Sequence, residues 1–259
     1  MKLHKAQAFT LIELLVVISI IAILAGIALP VFGEVKIRGD QTKALSNAKQ
    51  IGTACKFYAT DNNGIYPHFS NYVSSTQAAA AATNTEAKDG DSSNAILRSL
   101  IPDYLPEKSI FVNQKSHFCK KAGSANVTAD DPLPADTNEW AYVSGLTDTS
   151  NSRWPLLADG FAPSSVSAKD PYYTLNESEA GGIWKGKRAV VIRCDGSGTV
   201  ETLLTGKRTV KRGDEDTQNA FKADPAGATP VAGKIPWFTE SSGVFVLNPI
   251  PPSGGAAAP

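Results

Sequence analysis

Residues 8–32 read AFTLIELLVVISIIAILAGIALPVF. Leu14 to Phe32 is a 19-residue run without a charge. A helix of that length crosses a hydrocarbon core of ~30 Å. Glu13 stands at the mouth of the run. A carboxylate at the centre of a bilayer costs ~2.5–3.5 kcal/mol on insertion scales, so Glu13 needs either the interface or a partner. A cleavable secretory signal is one reading, with Lys2 and Lys5 as its basic end and Gly26-Ile27-Ala28 as a small-residue cut. Three features oppose it: the run is longer than the apolar part of such signals, Glu13 interrupts its start, and Pro30 follows the cut closely.

The run Lys5 to Glu13, KAQAFTLIE, resembles the processing site of type IV pilins and of the pseudopilins of type II secretion systems. That family has a short basic leader, a small residue, and then a Phe-Thr-Leu-Ile-Glu run opening an apolar helix. The resemblance implies that a prepilin peptidase cuts between Ala8 and Phe9 and methylates the new amine. The family usually has glycine before the cut, where this chain has Ala8. It also implies that Glu13, fifth after the cut, meets the α-amine of a neighbouring subunit inside a filament and sets its axial register. Removing one member of a buried ion pair typically costs ~3–5 kcal/mol, enough to enforce such a register. Basic residues flank both ends of the apolar run, so charge alone does not orient it. The resemblance implies a bacterial inner-membrane, single-pass protein with its body in the periplasm.

The apolar pattern continues past the membrane run. Ala44, Ala48, Ile51, Cys55 and Tyr58 recur at helical spacing, with Leu45, Gly52 and Ala59 widening the face. Asp61-Asn62-Asn63-Gly64 reads as a helix stop, and Pro67 blocks resumption. One helix from Phe9 to about Thr60 is therefore expected, with Pro30 as a kink because it removes a backbone hydrogen bond. The helix-end run Tyr58 to Pro67, YATDNNGIYP, resembles a large group of pseudopilin-like proteins.

Beyond Pro67 the chain reads as a mixed body. Ser74 to Ser93 is low in complexity and reads as a surface loop. Asn94 to Ser99 reads as a short helix capped by Ser92 or Ser93, and Ile110-Phe111-Val112 as a short strand. Further strands are expected at Glu139–Ser144, Trp154–Ala158, Ala189–Cys194, Thr199–Leu204 and Val244–Leu247. RAVVIRCDGSGTVETLL is the best hairpin, with Asp195-Gly196-Ser197-Gly198 as its turn. The fold class is α+β: a long N-terminal transmembrane and stalk helix packed on a small antiparallel β-sheet head, pilin-like. The expected organisation is a leader at 1–8, a transmembrane or filament-core helix at 9–32, and an amphipathic stalk at 33–60. A head at 61–247 with a flexible 74–93 loop and a flexible tail at 248–259 complete it.

No catalytic signature such as a G-x-S-x-G elbow, P-loop or H-E-x-x-H occurs. His117 and Cys119 are two apart and are the nearest approach to a Cys–His pair, but a structural thiol is the better reading. The protein is expected not to be an enzyme. With 25 Lys+Arg against 25 Asp+Glu, bulk charge gives no footing for nucleic acid. Cys119 and Cys194 both fall in the head and are the candidate disulfide, while Cys55 belongs to the stalk face. No cofactor is expected. Calcium is the one metal considered, with Asp159 and Asp195 as candidate donors, since some major pseudopilins bind it through a carboxylate loop; no spacing matches an EF-hand. Arg212-Gly213-Asp214 matches a cell-adhesion tripeptide that is too short to carry weight. The reading is a structural filament subunit, a type II secretion pseudopilin whose partners are other pseudopilins, the prepilin peptidase and the inner-membrane assembly platform. A type IV pilus subunit for adhesion or DNA uptake is the alternative, and a membrane-anchored enzyme or receptor comes third.

Overall fold

The computed structural model describes residues 10–68, 92–119, 133–167, 169–213, 215–228, 237–239, 242 and 244–250. It divides into two compact units, Met1–Lys43 and Ala44–Pro259. The helix α1, Leu11–Asp61, contributes to both. It continues through position 30, so the proline does not end it. Its end is built as the sequence suggests. Asn63 and Gly64 take left-handed backbone at φ 54° and 79°, and the Gly64 N–H donates back to Ala59 O at 2.8 Å.

In the second unit the helical face Ala44, Ala48, Ile51, Cys55 and Tyr58 is buried along its whole length. Lys49 and Phe57 on other faces are exposed. Gly52 sits close against the sheet. A Cβ built there would lie 2.8 Å from Ile192 Cγ2, so glycine is required by proximity and not by backbone angle.

The sheet has five antiparallel strands. They are β1 (Trp140–Ser144), β2 (Pro155–Asp159), β3 (Arg188–Arg193), β4 (Gly198–Thr202) and, across a further strand pair, β7 (Phe245–Leu247). Their order is β4-β3-β2-β1-β7. The five segments expected as strands are these five, with ends shifted by one or two residues, as frayed ends usually are. Every residue of β1 and β2 is buried, because the central strands are covered on both faces and so lose the alternation of a half-exposed sheet. The β3–β4 hairpin forms around the Asp195–Ser197 turn, in which Asp195 Oδ1 accepts the Ser197 N–H at 2.7 Å.

The short helix α2 (Ser93–Leu97) packs beside β1 and is capped by Ser92, whose side chain accepts the Ala95 N–H. Buried Asn138 joins it to β1, donating to Ser93 Oγ at 3.0 Å and Asn94 Oδ1 at 3.2 Å while accepting the Trp140 N–H at 3.0 Å.

Two elements were not expected from the sequence: α3 (Pro163–Ser167) and a small ribbon of β5 (Lys211–Arg212) with β6 (Glu215–Asn219). One expectation is corrected. Lys108–Phe111, overlapping the expected strand at Ile110-Phe111-Val112, is a turn of 3₁₀ helix that drops Ile110 and Phe111 into the core. A three-residue apolar run carries no period and fits either conformation. Asn248, expected in the loose tail, is held at both ends of its amide, accepting from Phe161 N at 2.9 Å and donating to Phe161 O at 2.8 Å.

Candidate functional site

Leu11–Leu29 is a 19-residue helical stretch long and apolar enough to cross a membrane, and none of it is buried inside the protein. Its one internal hydroxyl, Ser19 Oγ, donates to Leu15 O at 2.8 Å, which satisfies it within the helix. Leu, Ile and Val side chains project on all sides of this stretch. Such a surface needs lipid or other helices around it.

The start of the stretch is a closed device. Thr10 is the residue before the first helical turn, and Glu13 is the third residue inside it. Glu13 Oε2 accepts from Thr10 N at 2.8 Å and from Thr10 Oγ1 at 2.7 Å, and the Glu13 N–H donates back to Thr10 Oγ1 at 3.3 Å. This is a capping box, Thr-x-x-Glu. The spacing is plain in the sequence, but attention to the charge of Glu13 hides it. In a single copy of the chain, therefore, Glu13 has a partner in its own helix. Ala8 and Phe9 lie outside the described residues.

The other candidates are spread through the head. Asp159 is wholly buried at the end of β2, where its Oδ2 accepts Trp184 Nε1–H at 2.9 Å and the Val190 N–H at 2.6 Å. Asp195 lies beyond β3 beside the other end of β2, its N–H donating to Ser152 O. The two calcium candidates thus sit at opposite ends of one strand pair and do not converge. Among the described residues no group of three or more His, Cys, Asp or Glu converges as a metal site.

All three cysteines are free and buried. Cys119 and Cys194, the candidate pair from the sequence, are both among them. Cys119 faces Glu139 and Asp136, whereas Cys194 interacts electrostatically with Cys55. Burial pushes the Cys119 thiol up to about 12, and His117 is exposed, so this pair is no activated nucleophile. Arg212 of the adhesion-like tripeptide is spent internally, pairing with Asp224 at 2.7 Å and stacking over Trp237 at 4.6 Å. Asp214 lies outside the described residues.

One buried group escaped the sequence reading altogether. Glu139 adjoins β1 with no exposed surface, and its carboxyl lies against that of Asp159. Both Glu139 oxygens and Asp159 Oδ1 lack any N–H donor. Two facing carboxylates need a shared proton, and burial, joined by the Asp159 charge, raises the Glu139 carboxyl well above its ordinary range. The only signal was an acidic residue abutting an uninterrupted apolar strand.

Residues 3–29 match the model of the prokaryotic N-terminal methylation motif. The chain carries a pilin-type N-terminus. It is 40% identical over 69 residues to the type IV major pilin protein PilA of Myxococcus xanthus, covering 27% of this chain and 31% of that protein. It is 29% identical over 101 residues to the type IV major fimbrial protein FimA of Dichelobacter nodosus, covering 39% and 63%. With the type II secretion system core protein G of Aeromonas hydrophila it shares 38% identity over 63 residues, 24% and 44% of the two chains. The chain spans less than two-thirds of the length of each of these relatives. No solved structure is significantly similar to it. The pilin-type segment coincides with the exposed apolar stretch of α1. The similarity runs to pilus and secretion proteins alike.

Proposed function

We propose that this chain is a structural filament subunit of the pseudopilin type. It is cut between Ala8 and Phe9, methylated on the Phe9 amine, and assembled through its N-terminal helix. The observation that carries the reading is the methylation motif over residues 3–29, which takes in a helical stretch, Leu11–Leu29, whose apolar surface none of the described residues covers. Before assembly that surface sits in the inner membrane with the head exported, and in the filament it packs on copies of itself or on other pseudopilins. Glu13 then exchanges its bonds to Thr10 for the α-amine of a neighbour, and the helix bends at Pro30. The peptidase and the membrane assembly platform supply the chemistry and the work.

A secretion role is favoured over a pilus role by the helix-end run Tyr58 to Pro67, which resembles the pseudopilin group. The pilus reading is kept by the relatives from M. xanthus and D. nodosus, whose names are those of major pilus subunits. The deciding experiment is intact-mass and N-terminal peptide mass spectrometry on protein from its native membrane. A start at Phe9 with one methyl group is expected. A start near Leu29, or an unprocessed Met1, overturns the reading. Deleting the gene then separates the two roles: loss of proteins from the culture medium marks secretion, and loss of surface fibres marks a pilus.

A further inference from the structure

The face of α1 over β3 is fixed by contacts on either side of two cysteines. Upstream, Gly52 lets the helix backbone approach until a Cβ would touch Ile192 at 2.8 Å. Downstream, Lys56 Nζ donates to Asp195 O at 2.5 Å. Cys55 lies between Gly52 and Lys56 on the buried helix face, and Cys194 lies between Ile192 and Asp195. The Cys194 N–H donates to Trp154 O at 3.0 Å, which carries the β2–β3 ladder one residue past the strand. Cys194 therefore keeps the pleat of β3 and shares the Ile192 face, towards the helix. Tyr66 closes the same spot from the side, its hydroxyl donating to Cys194 O at 3.2 Å. Cys119, by contrast, sits with Glu139 and Asp136.

We propose that Cys55 and Cys194 are a disulfide-forming pair that fastens the helix to β3 once the head meets a disulfide oxidant. A bridge needs Cα atoms about 4.4–6.8 Å apart, and the glycine at position 52 is what lets the backbone of α1 come close to Ile192, two residues from Cys194. The route is open on one side only. Cys194 lines a cleft with Lys56, Thr60, Tyr66, Asp148 and Ser152, whereas Cys55 has no exposed surface. The Cys194 thiolate attacks an oxidant disulfide R–S–S–R and releases one R–S⁻. The Cys55 sulfur then attacks Cys194 Sγ in the mixed disulfide and releases the second. Two protein thiols are oxidised, one small disulfide is reduced to two thiols, and the two protons lost by the cysteines end on them. Burial holds the thiols up, Cys194 to about 12, so the exchange is fastest while the head is still closing.

The pairing rests on the exported head of the proposed function only for its oxidising surroundings. The test keeps the two apart. The full chain, solubilised in detergent, is refolded in a buffer of oxidised and reduced glutathione, quenched in acid, alkylated and digested without reduction. A peptide containing Cys55 joined to one containing Cys194 is expected, with Cys119 alkylated. The melting temperature should fall on reduction by on the order of 10 °C, in the wild type and in Cys119→Ala but not in Cys194→Ala. Three free thiols, or a bond through Cys119, overturn the pairing. Protein taken directly from the native membrane reads the other question. A bond formed in glutathione but absent there sinks the exported location and leaves the pairing standing.

Discussion

Thr10 and Glu13 satisfy one another in a single chain, which changes what a substitution at Glu13 tests. Glu13→Ala removes the carboxylate half of the capping box together with the charge, while the Thr10 hydroxyl can still accept the N–H of residue 13. Glu13→Gln keeps the hydrogen-bonding shape and removes the charge. If Glu13 pairs with a neighbour's amine, both variants insert into the membrane and both fail to form filaments, scored in sheared surface fractions by electron microscopy. Filaments from Glu13→Gln but not from Glu13→Ala would mean that capping is the whole of its role.

The second residue-scale device is the Glu139–Asp159 pair. Burial raises both carboxyls in the folded head, Asp159 to about 6 from its ordinary 3.8 and Glu139 well above 4.5. An acid with a raised folded-state pKa binds its proton more tightly folded than unfolded. Its contribution is complete below the unfolded value and is lost as pH climbs through the folded one. Stability from this pair therefore falls as pH rises from about 4 through 6 and beyond. Asp159 accepts two N–H groups that favour its charge, so Glu139 carries the shared proton. Glu139→Gln supplies that donor permanently. Its melting temperature relative to wild type should increase steadily from pH 5 to pH 9. A constant difference across that range would show that no proton is shared.

At the scale of elements, the contact between α1 and β3 is the one to probe. Ile51 is fully buried on the helix face, and Ile51→Ala should destabilise the head by ~2–5 kcal/mol through lost burial and the cavity left behind. Gly52→Ala adds a single methyl, yet Ile192 Cγ2 stands 2.8 Å from where it would go. Overpacking of this kind costs ~1–3 kcal/mol, outweighing the ~1 kcal/mol that alanine gains over glycine in a helix interior. Urea denaturation should therefore show Gly52→Ala less stable than wild type. A more stable variant would mean that the helix can move off Ile192. The strands were legible because β-branched and aromatic runs bounded by Asp-Gly and Pro leave few readings. The β5–β6 ribbon was not, since KR and EDTQN carry no apolar signal, and its pairing comes from the chain folding back on itself.

For the whole molecule, every described residue of the buried apolar core lies from Ala44 onward. Among the described residues, the unit Met1–Lys43 contributes no apolar residue to it. A chain beginning at Ala44 should thus remain soluble without detergent and unfold in one cooperative transition by circular dichroism. A molten or aggregated product would show that the head depends on the first unit for its fold.

What the sequence determined by itself was the long N-terminal helix, its stop at Asp61-Asn62-Asn63-Gly64, the five strand segments and the pilin-type segment. These are set by local means: apolar period, turn chemistry, and the length of an uncharged run. What only the tertiary structure decided was which distant groups meet. It placed the carboxyls of Glu139 and Asp159 side by side, kept Asp159 and Asp195 apart, and brought Cys194 into electrostatic reach of Cys55. Such pairings depend on strand order and on a helix–sheet distance set by one glycine. No short-range pattern encodes either, because both arise only when residues far apart in the chain are packed at the density of a folded core.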